Sequence, residues 1–272
     1  MNERAQKLAR YREIYSPEIT EKQVYRIAQA EQHNALCDKC KGYPCDNYGF
    51  QVVIRYIDGT LDIRYKECAA RIKYNAEKRQ QRQFKMAKIP GKYAGKNFGD
   101  YAVDGDNKVA VAWAKSAVNT PESLYIWGEP GTGKTFLAAI MAQECLKRGR
   151  TVIFADVPTL LSELRGTFDK DSDANINDLM KTLSEVELLI LDDFGTEQPT
   201  QWSIERLYMI INERYNAEKP IVITSNYDLD KAARVMNRPK DGSEGVTGSR
   251  IASRLGQMCR LLKLKGEDRR RR

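Results

Sequence analysis

The chain has 272 residues, of which 42% are hydrophobic and 30% charged, and its formal net charge is +8. This length and composition support one sizeable packed domain together with a smaller one. No hydrophobic run approaches the length of a membrane span, and the first residues lack the apolar core of a signal peptide, so we expect a cytoplasmic protein with no membrane partner. In the cytoplasm the six cysteines are not expected to form structural disulfides.

The first part of the chain is predicted to be helical over residues 3–34. Thr20, followed by Gln23 three positions later, has the spacing of a capping box, and Val24 and Ile27 then fall on one face of the helix that it begins. This apolar face is narrow, so the helix needs another element to pack against. Either the next module of the chain or a partner protein could cover it.

Four of the six cysteines lie between positions 37 and 68. The first three have a two-residue and then a four-residue spacing, which is typical of a metal-binding knuckle. Asp58-Gly59 predicts a β-hairpin with strands at 51–56 and 60–65, and the second strand leads to the fourth cysteine. A hairpin of this size is not stable without a metal ion, so the pattern predicts a Zn²⁺ module with the ligands Cys37, Cys40, Cys45 and Cys68. His33 is the alternative fourth ligand, and free thiols in a small apolar core are the alternative to zinc.

A basic, glutamine-containing segment over residues 69–88 predicts an exposed helix or linker between two modules. Residues 1–90 carry 18 basic and 11 acidic side chains, or +7 of the net charge, which suits contact with nucleic acid and equally a solvated surface. We therefore expect an N-terminal domain at 1–75, a basic linker at 76–90 and a second domain at 91–272. Phe98 and Tyr101, which open the second domain, either reach an adenine base or serve packing.

A phosphate-binding loop is the strongest signal in the chain. An apolar strand at 124–127 precedes it and an apolar helix at 136–146 follows it, which is the context that a P-loop requires. The glycines let successive backbone N–H groups point at phosphate oxygens, the lysine supplies a positive charge, and the final threonine hydroxyl is placed to ligate Mg²⁺. The loop consists of Gly128, Glu129, Pro130, Gly131, Thr132, Gly133, Lys134 and Thr135. It predicts binding of ATP or GTP.

Further strands and helices alternate along the second domain. A helix is predicted at 107–118, a buried strand at 151–155, an amphipathic helix from Pro158, and a polar loop at 169–178. Strands and helices that alternate at this spacing predict an α/β fold with a parallel sheet covered by helices on both faces.

Two later strands end in polar residues that suit nucleotide hydrolysis. The apolar strand at 187–191 is followed by Asp192 and Asp193, of which the first would hold Mg²⁺ and the second would orient or deprotonate the attacking water. The next apolar strand ends at Asn226, whose amide could help to position that water. A buried strand capped by turn acids is the alternative.

Arginines follow in the C-terminal part. Arg250 and Arg254 lie four residues apart and therefore on one helix face, and a strand is predicted at 261–265 before Arg270. Arginine can stabilise the charge that develops on a transferring phosphoryl group, either within one subunit or from a neighbour. Surface ion pairing is the alternative for any one of them.

Five motifs, in this order along the chain, resemble those of the AAA+ ATPases. They are Gly128-Glu-Pro-Gly-Thr-Gly-Lys-Thr135, the strand ending in Asp192-Asp193, Ile-Thr-Ser-Asn226, Arg250-x-x-x-Arg254 and Gly266-x-Asp-x-Arg270. They resemble in particular the bacterial and phage replicative helicase loaders of the DnaC/DnaI type, over residues 89–272. The cysteine module resembles the N-terminal zinc domain of the DnaI branch, whereas the nucleotide motifs alone also fit transposition helper ATPases of the IstB type.

This resemblance implies that ATP lies between protomers of a homo-oligomer. It implies that Asp193 holds the catalytic-base position, Asn226 the sensor-1 position, and Arg254, with Arg250 as second choice, the arginine finger. Arg270 matches sensor 2, with the adjacent Arg269 leaving the register open. The resemblance also implies that the N-terminal module binds the hexameric helicase and that the ATPase domain contacts single-stranded DNA.

One position departs from the AAA+ pattern, because Asp193 stands where that family commonly has glutamate. Its carboxylate is one methylene closer to the backbone, and a misplacement near 1 Å can cost on the order of a hundredfold in rate. We therefore expect a slow ATPase. A transposition helper ATPase and a zinc-dependent nucleic-acid-binding adaptor with a vestigial ATPase remain as alternative functions.

Overall fold

The computed structural model describes residues 3–269 apart from positions 39, 46, 59, 167–172, 196–199 and 239–244. The chain divides into two compact units, Met1–Arg79 and Gln80–Arg272. Within the described part of the chain, no helix is long and apolar enough to cross a membrane.

The smaller unit contains two helices and a hairpin. Helix α1 (Glu3–Ile14) and helix α2 (Glu21–Asp38) replace the single helical stretch that was predicted, because Pro17 disfavours helical backbone at the residue before it. The predicted capping box is confirmed: the N–H of Thr20 donates to Oε1 of Gln23 at 2.8 Å, and the N–H of Gln23 donates to Oγ1 of Thr20 at 3.4 Å.

The predicted hairpin is also confirmed. Strands β1 (Phe50–Ile57) and β2 (Thr60–Glu67) pair antiparallel, and Gly59 of its turn lies outside the described residues. Ile27 of α2 is fully buried in the same hydrophobic cluster as Leu61 of β2. The narrow face of α2 therefore packs against the hairpin. Helix α3 (Ala69–Met86) follows and covers most of the basic segment.

The larger unit alternates helices and strands along the chain. In order these are α4 (Lys108–Asn119), β3 (Ser123–Trp127), α5 (Lys134–Lys147), β4 (Val152–Asp156), α6 (Val157–Gly166), α7 (Asp173–Glu185), β5 (Leu188–Asp192), α8 (Gln201–Asn216), β6 (Ile221–Ser225), α9 (Leu229–Met236), α10 (Thr247–Met258) and β7 (Cys259–Lys263).

The strands form one parallel sheet in the order β4-β5-β6-β3-β7. Successive side chains of a strand point to opposite faces, so a sheet covered on both sides needs continuous apolar strands. In β5, Ile190 packs into the cluster with α4 and α5, whereas Leu189 and Leu191 pack into the cluster with α6 to α10. The predicted α/β fold class is therefore confirmed.

Two boundaries differ from the prediction. The predicted loop at 169–178 is helix α7 from Asp173 onward, because the buried Ile176, Met180 and Leu183 recur at helical spacing; residues 169–172 lie outside the described part. The last strand begins at Cys259 rather than at 261 and ends at Lys263.

Arg214 on α8 is fully buried, and it joins the start of β6 to the turn before β5. Its guanidinium donates to the carbonyl oxygens of Leu183 at 2.8 Å, Val186 at 2.9 Å and Pro220 at 2.6 Å. Burial lowers the pKa of Arg214 to about 10, which leaves it charged at neutral pH. A charged donor bonded to several carbonyls can be buried at a tolerable cost, whereas carbonyls left without a donor cannot.

We predict that Arg214→Ala lowers the free energy of unfolding by about 3 kcal/mol, because several buried carbonyl oxygens lose their donor at once. Urea unfolding followed by circular dichroism measures the change. Arg148→Ala is the control, since the Arg148 side chain is 43% exposed and its pair with Glu144 is worth at most about 1 kcal/mol. Equal effects of the two substitutions would contradict the role assigned to Arg214.

Candidate active site

The phosphate loop connects β3 to α5 and has the backbone that its glycines permit. Gly131 and Gly133 have φ angles of +84° and +95°, which residues other than glycine rarely adopt. A side chain at Gly131 would also overlap the carboxylate of Asp268. Glu129 and Pro130 are exposed at the tip of the loop.

Lys134 begins α5 and lies inside the loop, where only 5% of it is exposed. Its Nζ donates to the carbonyl oxygens of Gly128 and Glu129, both at 2.9 Å. The hydroxyl of the buried Thr132 donates to the same Glu129 oxygen at 2.9 Å and tightens the loop. Phosphate oxygens are stronger acceptors than carbonyl oxygens, so the lysine is in place to exchange these bonds for bonds to a nucleotide.

Asp192 ends β5 and is only 5% exposed. The pKa of its carboxyl is raised to about 6, chiefly by burial and in smaller part by the nearby charge of Asp193, while hydrogen bonds from Thr224 and Thr135 act in the opposite direction. The structure thus brings together Thr135 and Asp192, the two residues predicted to hold Mg²⁺. A hydroxyl and a carboxylate suit Mg²⁺, which prefers oxygen ligands.

The other two predicted residues of the hydrolytic site lie at the ends of adjacent strands. Asp193 follows β5 directly, has a φ of 56°, and donates its backbone N–H to Oγ1 of Thr224 at 3.1 Å. Asn226 follows β6 and is half-buried. Because β5 and β6 are neighbouring parallel strands, both side chains lie at the carboxyl edge of the sheet, where the phosphate loop also begins.

The predicted arginines on α10 are held differently. Nε of Arg254 donates to Oδ1 of Asn212 on α8 at 2.7 Å, and its guanidinium carbon lies 4.9 Å from the ring centre of Tyr208. Arg250, one turn earlier, is exposed. Arg270 lies outside the described residues, so its predicted sensor-2 position stays a prediction.

The residue next to it, Arg269, contacts the phosphate loop. Its backbone N–H donates to the carbonyl oxygen of Gly131 at 3.0 Å, and its guanidinium pairs with the carboxylate of Asp104 at 2.5 Å. Tyr101 lies beneath this guanidinium, is 3% exposed, and contacts Gly133 and Phe136. Tyr101 therefore packs beneath the loop, and the chain segments before and after the ATPase core meet at this point.

Sequence reasoning missed the contribution of Thr224, Asp104 and Asn212. Thr224 is fully buried and donates to the carboxylate of Asp192 at 2.5 Å. Each of the three contacts joins residues more than thirty positions apart, so no local spacing could have indicated them. The only sequence signal was the place of Thr224 near the end of an apolar strand.

Cys37, Cys40, Cys45 and Cys68 of the smaller unit form no disulfide bonds. Cys37, Cys40 and Cys45 line one cavity of about 430 Å³, and N–H groups of Asn47 and Gly42 lie 3.2 Å and 3.4 Å from the sulfurs of Cys37 and Cys40. Cysteine sulfurs are common zinc ligands, so the donor set suits zinc chemically. Within the described part of the chain, however, no three His, Cys, Asp or Glu side chains are gathered closely enough to share a metal ion.

The two candidates for the fourth ligand have other contacts. The backbone N–H of Arg71 lies 3.4 Å from the sulfur of the buried Cys68. Nε2 of His33 lies 3.2 Å from the carbonyl oxygen of Phe50, and its ring packs edge-on against Tyr65.

The site defines a P-loop ATPase of the AAA+ class. A phosphate loop follows β3, paired acids follow β5, and a polar amide follows β6, which lies between those two strands. The sequence profile of the family described as IstB-like ATP binding protein matches residues 63–272, which is more than half of the chain. The chain belongs to this family, and it binds ATP and is an ATPase.

Several relatives are replicative helicase loaders. The replicative helicase loader DnaI of Bacillus subtilis (strain 168) is 24% identical over 270 residues, which cover 95% of this chain and 86% of the relative. The replicative helicase loader DnaC of Escherichia coli (strain K12) is 27% identical over 185 residues, which cover 64% of this chain and 75% of the relative.

Solved structures agree with this similarity. A crystal structure of DnaI aligns with a TM-score of 0.57 at 26% identity, covering 69% of this chain and 99% of that one. A crystal structure of the DnaC helicase loader aligns with a TM-score of 0.56 at 26% identity, covering 65% of this chain and 100% of that one.

We predict that Asp192→Asn stabilises the nucleotide-free protein at pH 7.5 but not at pH 4. Folding raises the pKa of Asp192 from 3.8 to about 6. At a pH below 3.8 the carboxyl is protonated in both the folded and the unfolded protein, so its burial costs no stability. As the pH rises through about 6, the folded protein has to bury the charged carboxylate and loses stability. The substitution removes this loss, which amounts to at most about 3 kcal/mol. Urea unfolding without Mg²⁺ at both pH values measures it. A gain that is equal at the two pH values would contradict the burial cost assigned to this carboxyl.

Proposed function

We propose that this chain is an ATP-dependent loader that places a hexameric replicative DNA helicase onto single-stranded DNA during the initiation of replication. The observation that carries the proposal is the extent of the similarity to the replicative helicase loader DnaI, which spans 95% of this chain and so includes both of its units. Similarity restricted to the ATPase unit would fit other helper ATPases equally well.

Two alternatives are weaker. A transposition helper ATPase would share the larger unit, and the family match begins only at residue 63, so the smaller unit is what favours the loader. A nucleic-acid-binding adaptor with a vestigial ATPase would have no use for Lys134 inside its loop, or for Thr135 bonded to Asp192. An intact arrangement of these groups favours an active ATPase.

In the proposed cycle, the backbone N–H groups of the loop and Lys134 hold the phosphates, while Thr135 and Asp192 would hold Mg²⁺. When bound there, Mg²⁺ would supply positive charge to offset the charge that develops on the transferring phosphoryl group. Asp193 orients the attacking water, and Asn226 assists from the adjacent strand. Because the Asp193 carboxylate is on a short side chain, hydrolysis is slow. ATP binding and hydrolysis therefore switch the chain between two states and do not drive continuous movement along DNA.

We further propose that ATP-bound chains assemble into a homo-oligomer in which Arg254 reaches the nucleotide of a neighbour. Its position on α10, ordered by Asn212 and Tyr208, supports a rigid presentation of the guanidinium. Arg250 is the second choice because it is exposed one turn earlier. ATP favours the assembly that holds the helicase, and hydrolysis favours its release onto single-stranded DNA.

The smaller unit is proposed to bind the helicase and to hold Zn²⁺ through Cys37, Cys40 and Cys45, with Cys68 as the fourth ligand. Three thiols around one cavity and N–H groups near their sulfurs support this assignment. Zinc would add stability to a unit whose own apolar core is small.

We predict one zinc ion per chain in protein purified without chelators, measured by inductively coupled plasma mass spectrometry. Cys40→Ser and Cys45→Ser are expected to lose it, and Cys145→Ser, a buried cysteine of the larger unit, is the control that keeps it. Separate Cys68→Ser and His33→Asn variants decide the fourth ligand. Zinc-free wild-type protein, or full zinc in Cys40→Ser, would contradict the proposal.

We predict that the immobilised full chain captures a purified bacterial replicative helicase in the presence of ATP, and that it does not capture a transposase. Lys134→Ala is expected to lose ATP binding, because the charge inside the loop is gone, while it keeps its zinc. Affinity capture followed by gel analysis measures the first result, and isothermal titration with ATP measures the second. Capture of a transposase together with duplex DNA would instead support the transposition helper.

A further inference from the structure

Thr224 near the end of β6 serves both acids that follow β5. Its side chain is fully buried, and its Oγ1 donates to Oδ1 of Asp192 at 2.5 Å. The same oxygen accepts the backbone N–H of Asp193 at 3.1 Å. A hydroxyl has one proton to donate and lone pairs to accept, so this single group holds the side chain of one acid and the backbone of the next.

The backbone that Thr224 holds is in an unfavourable conformation. Asp193 has a φ of 56°, in the left-handed region, and residues other than glycine keep such a conformation only where the surroundings impose it. Strand β6 supplies two more bonds to the same turn. The N–H of Phe194 donates to the carbonyl oxygen of Thr224 at 2.9 Å, and the hydroxyl of Ser225 donates to the carbonyl oxygen of Phe194 at 2.7 Å.

The end of β6 is bonded to the phosphate loop as well. The N–H of Gly128, the first residue of the loop, donates to the carbonyl oxygen of Ser225 at 3.2 Å. The relative position of the loop and the two acids therefore depends on Thr224 and Ser225. A change in the backbone of Asp193 would redirect its carboxylate at the edge of the sheet where the phosphate loop begins.

We propose that Thr224 is a positioning residue for ATP hydrolysis: its hydroxyl orients the carboxylate of Asp192 and, through the backbone of Asp193, the Asp193 side chain. The inference rests on the roles proposed above for these two acids. Thr224 acts through them, because its buried hydroxyl already bonds both.

The test compares Thr224→Val, which keeps the shape and removes the hydroxyl, with Thr224→Ser, which keeps the hydroxyl. Loss of a residue that orients a metal ligand typically costs 10–100-fold in activity. In Thr224→Val, single-turnover hydrolysis at saturating Mg²⁺ and ATP is expected to fall by about that factor, while the Kd for ATP changes by less than about threefold. Thr224→Ser is expected to restore the rate to within about threefold of the wild type.

Ser123→Ala is the matched control. Ser123 is a buried hydroxyl residue on the adjacent strand β3, but it lies at the opposite end of the sheet, where it accepts the N–H of Ile221 at 3.0 Å. Its removal is expected to lower stability and to leave single-turnover hydrolysis unchanged. Thr224→Ala replaces Thr224→Val if the valine variant does not fold.

Asp193→Asn, measured alongside, separates the two proposals. If Asp193→Asn hydrolyses ATP at the wild-type rate, the role proposed for Asp193 is wrong and the inference falls with it. If Asp193→Asn is slow but Thr224→Val stays within twofold of the wild type, the role of Thr224 alone is overturned. Thr224→Ser as slow as Thr224→Val would overturn it too, since the hydroxyl would then not be the group that matters.

Discussion

The buried carboxylate of Asp192 is the constraint on which the site depends. Removing a carboxylate from water is costly unless hydrogen bonds or a cation offset the loss. Here the hydroxyls of Thr135, at the start of α5, and Thr224, on β6, bond to it, so three separate elements must meet at one point. The strand order β5-β6-β3 achieves this, because β6 lies between the acids and the phosphate loop. A divalent cation would offset the remaining cost of burial, which supports the Mg²⁺ site proposed for Thr135 and Asp192.

The two units are stabilised by different means. The larger unit buries its parallel sheet on both faces, and Arg214 satisfies carbonyl oxygens that would otherwise be buried without a donor. The smaller unit relies on a small cluster around Ile27 and Leu61, and three of its cysteines line one cavity. A small core makes a metal-stabilised unit physically reasonable.

Sequence patterns predicted those parts of the structure that depend on local spacing. The strand, loop and helix around Lys134, the hairpin at Asp58 and the capping box at Thr20 follow from residues close together in the chain. Helix α7 was missed because its first turns are polar and only Ile176, Met180 and Leu183 reveal its buried side. The partners of Asp192, Arg214 and Arg254 come from distant elements, and their contacts depend on the strand order and helix packing. The sensor-2 position predicted for Arg270 stays a prediction, since this residue lies outside the described part of the chain.

We propose that nucleotide occupancy of this site controls the transfer of a ring-shaped helicase to DNA. The most direct measurement places purified helicase and this chain with closed circular single-stranded DNA, which has no free end, and follows helicase bound to the circle. Transfer is expected with the chain and ATP together, and not when ADP replaces ATP or when the chain is omitted. Equal transfer with ADP, or without the chain, would contradict the claim.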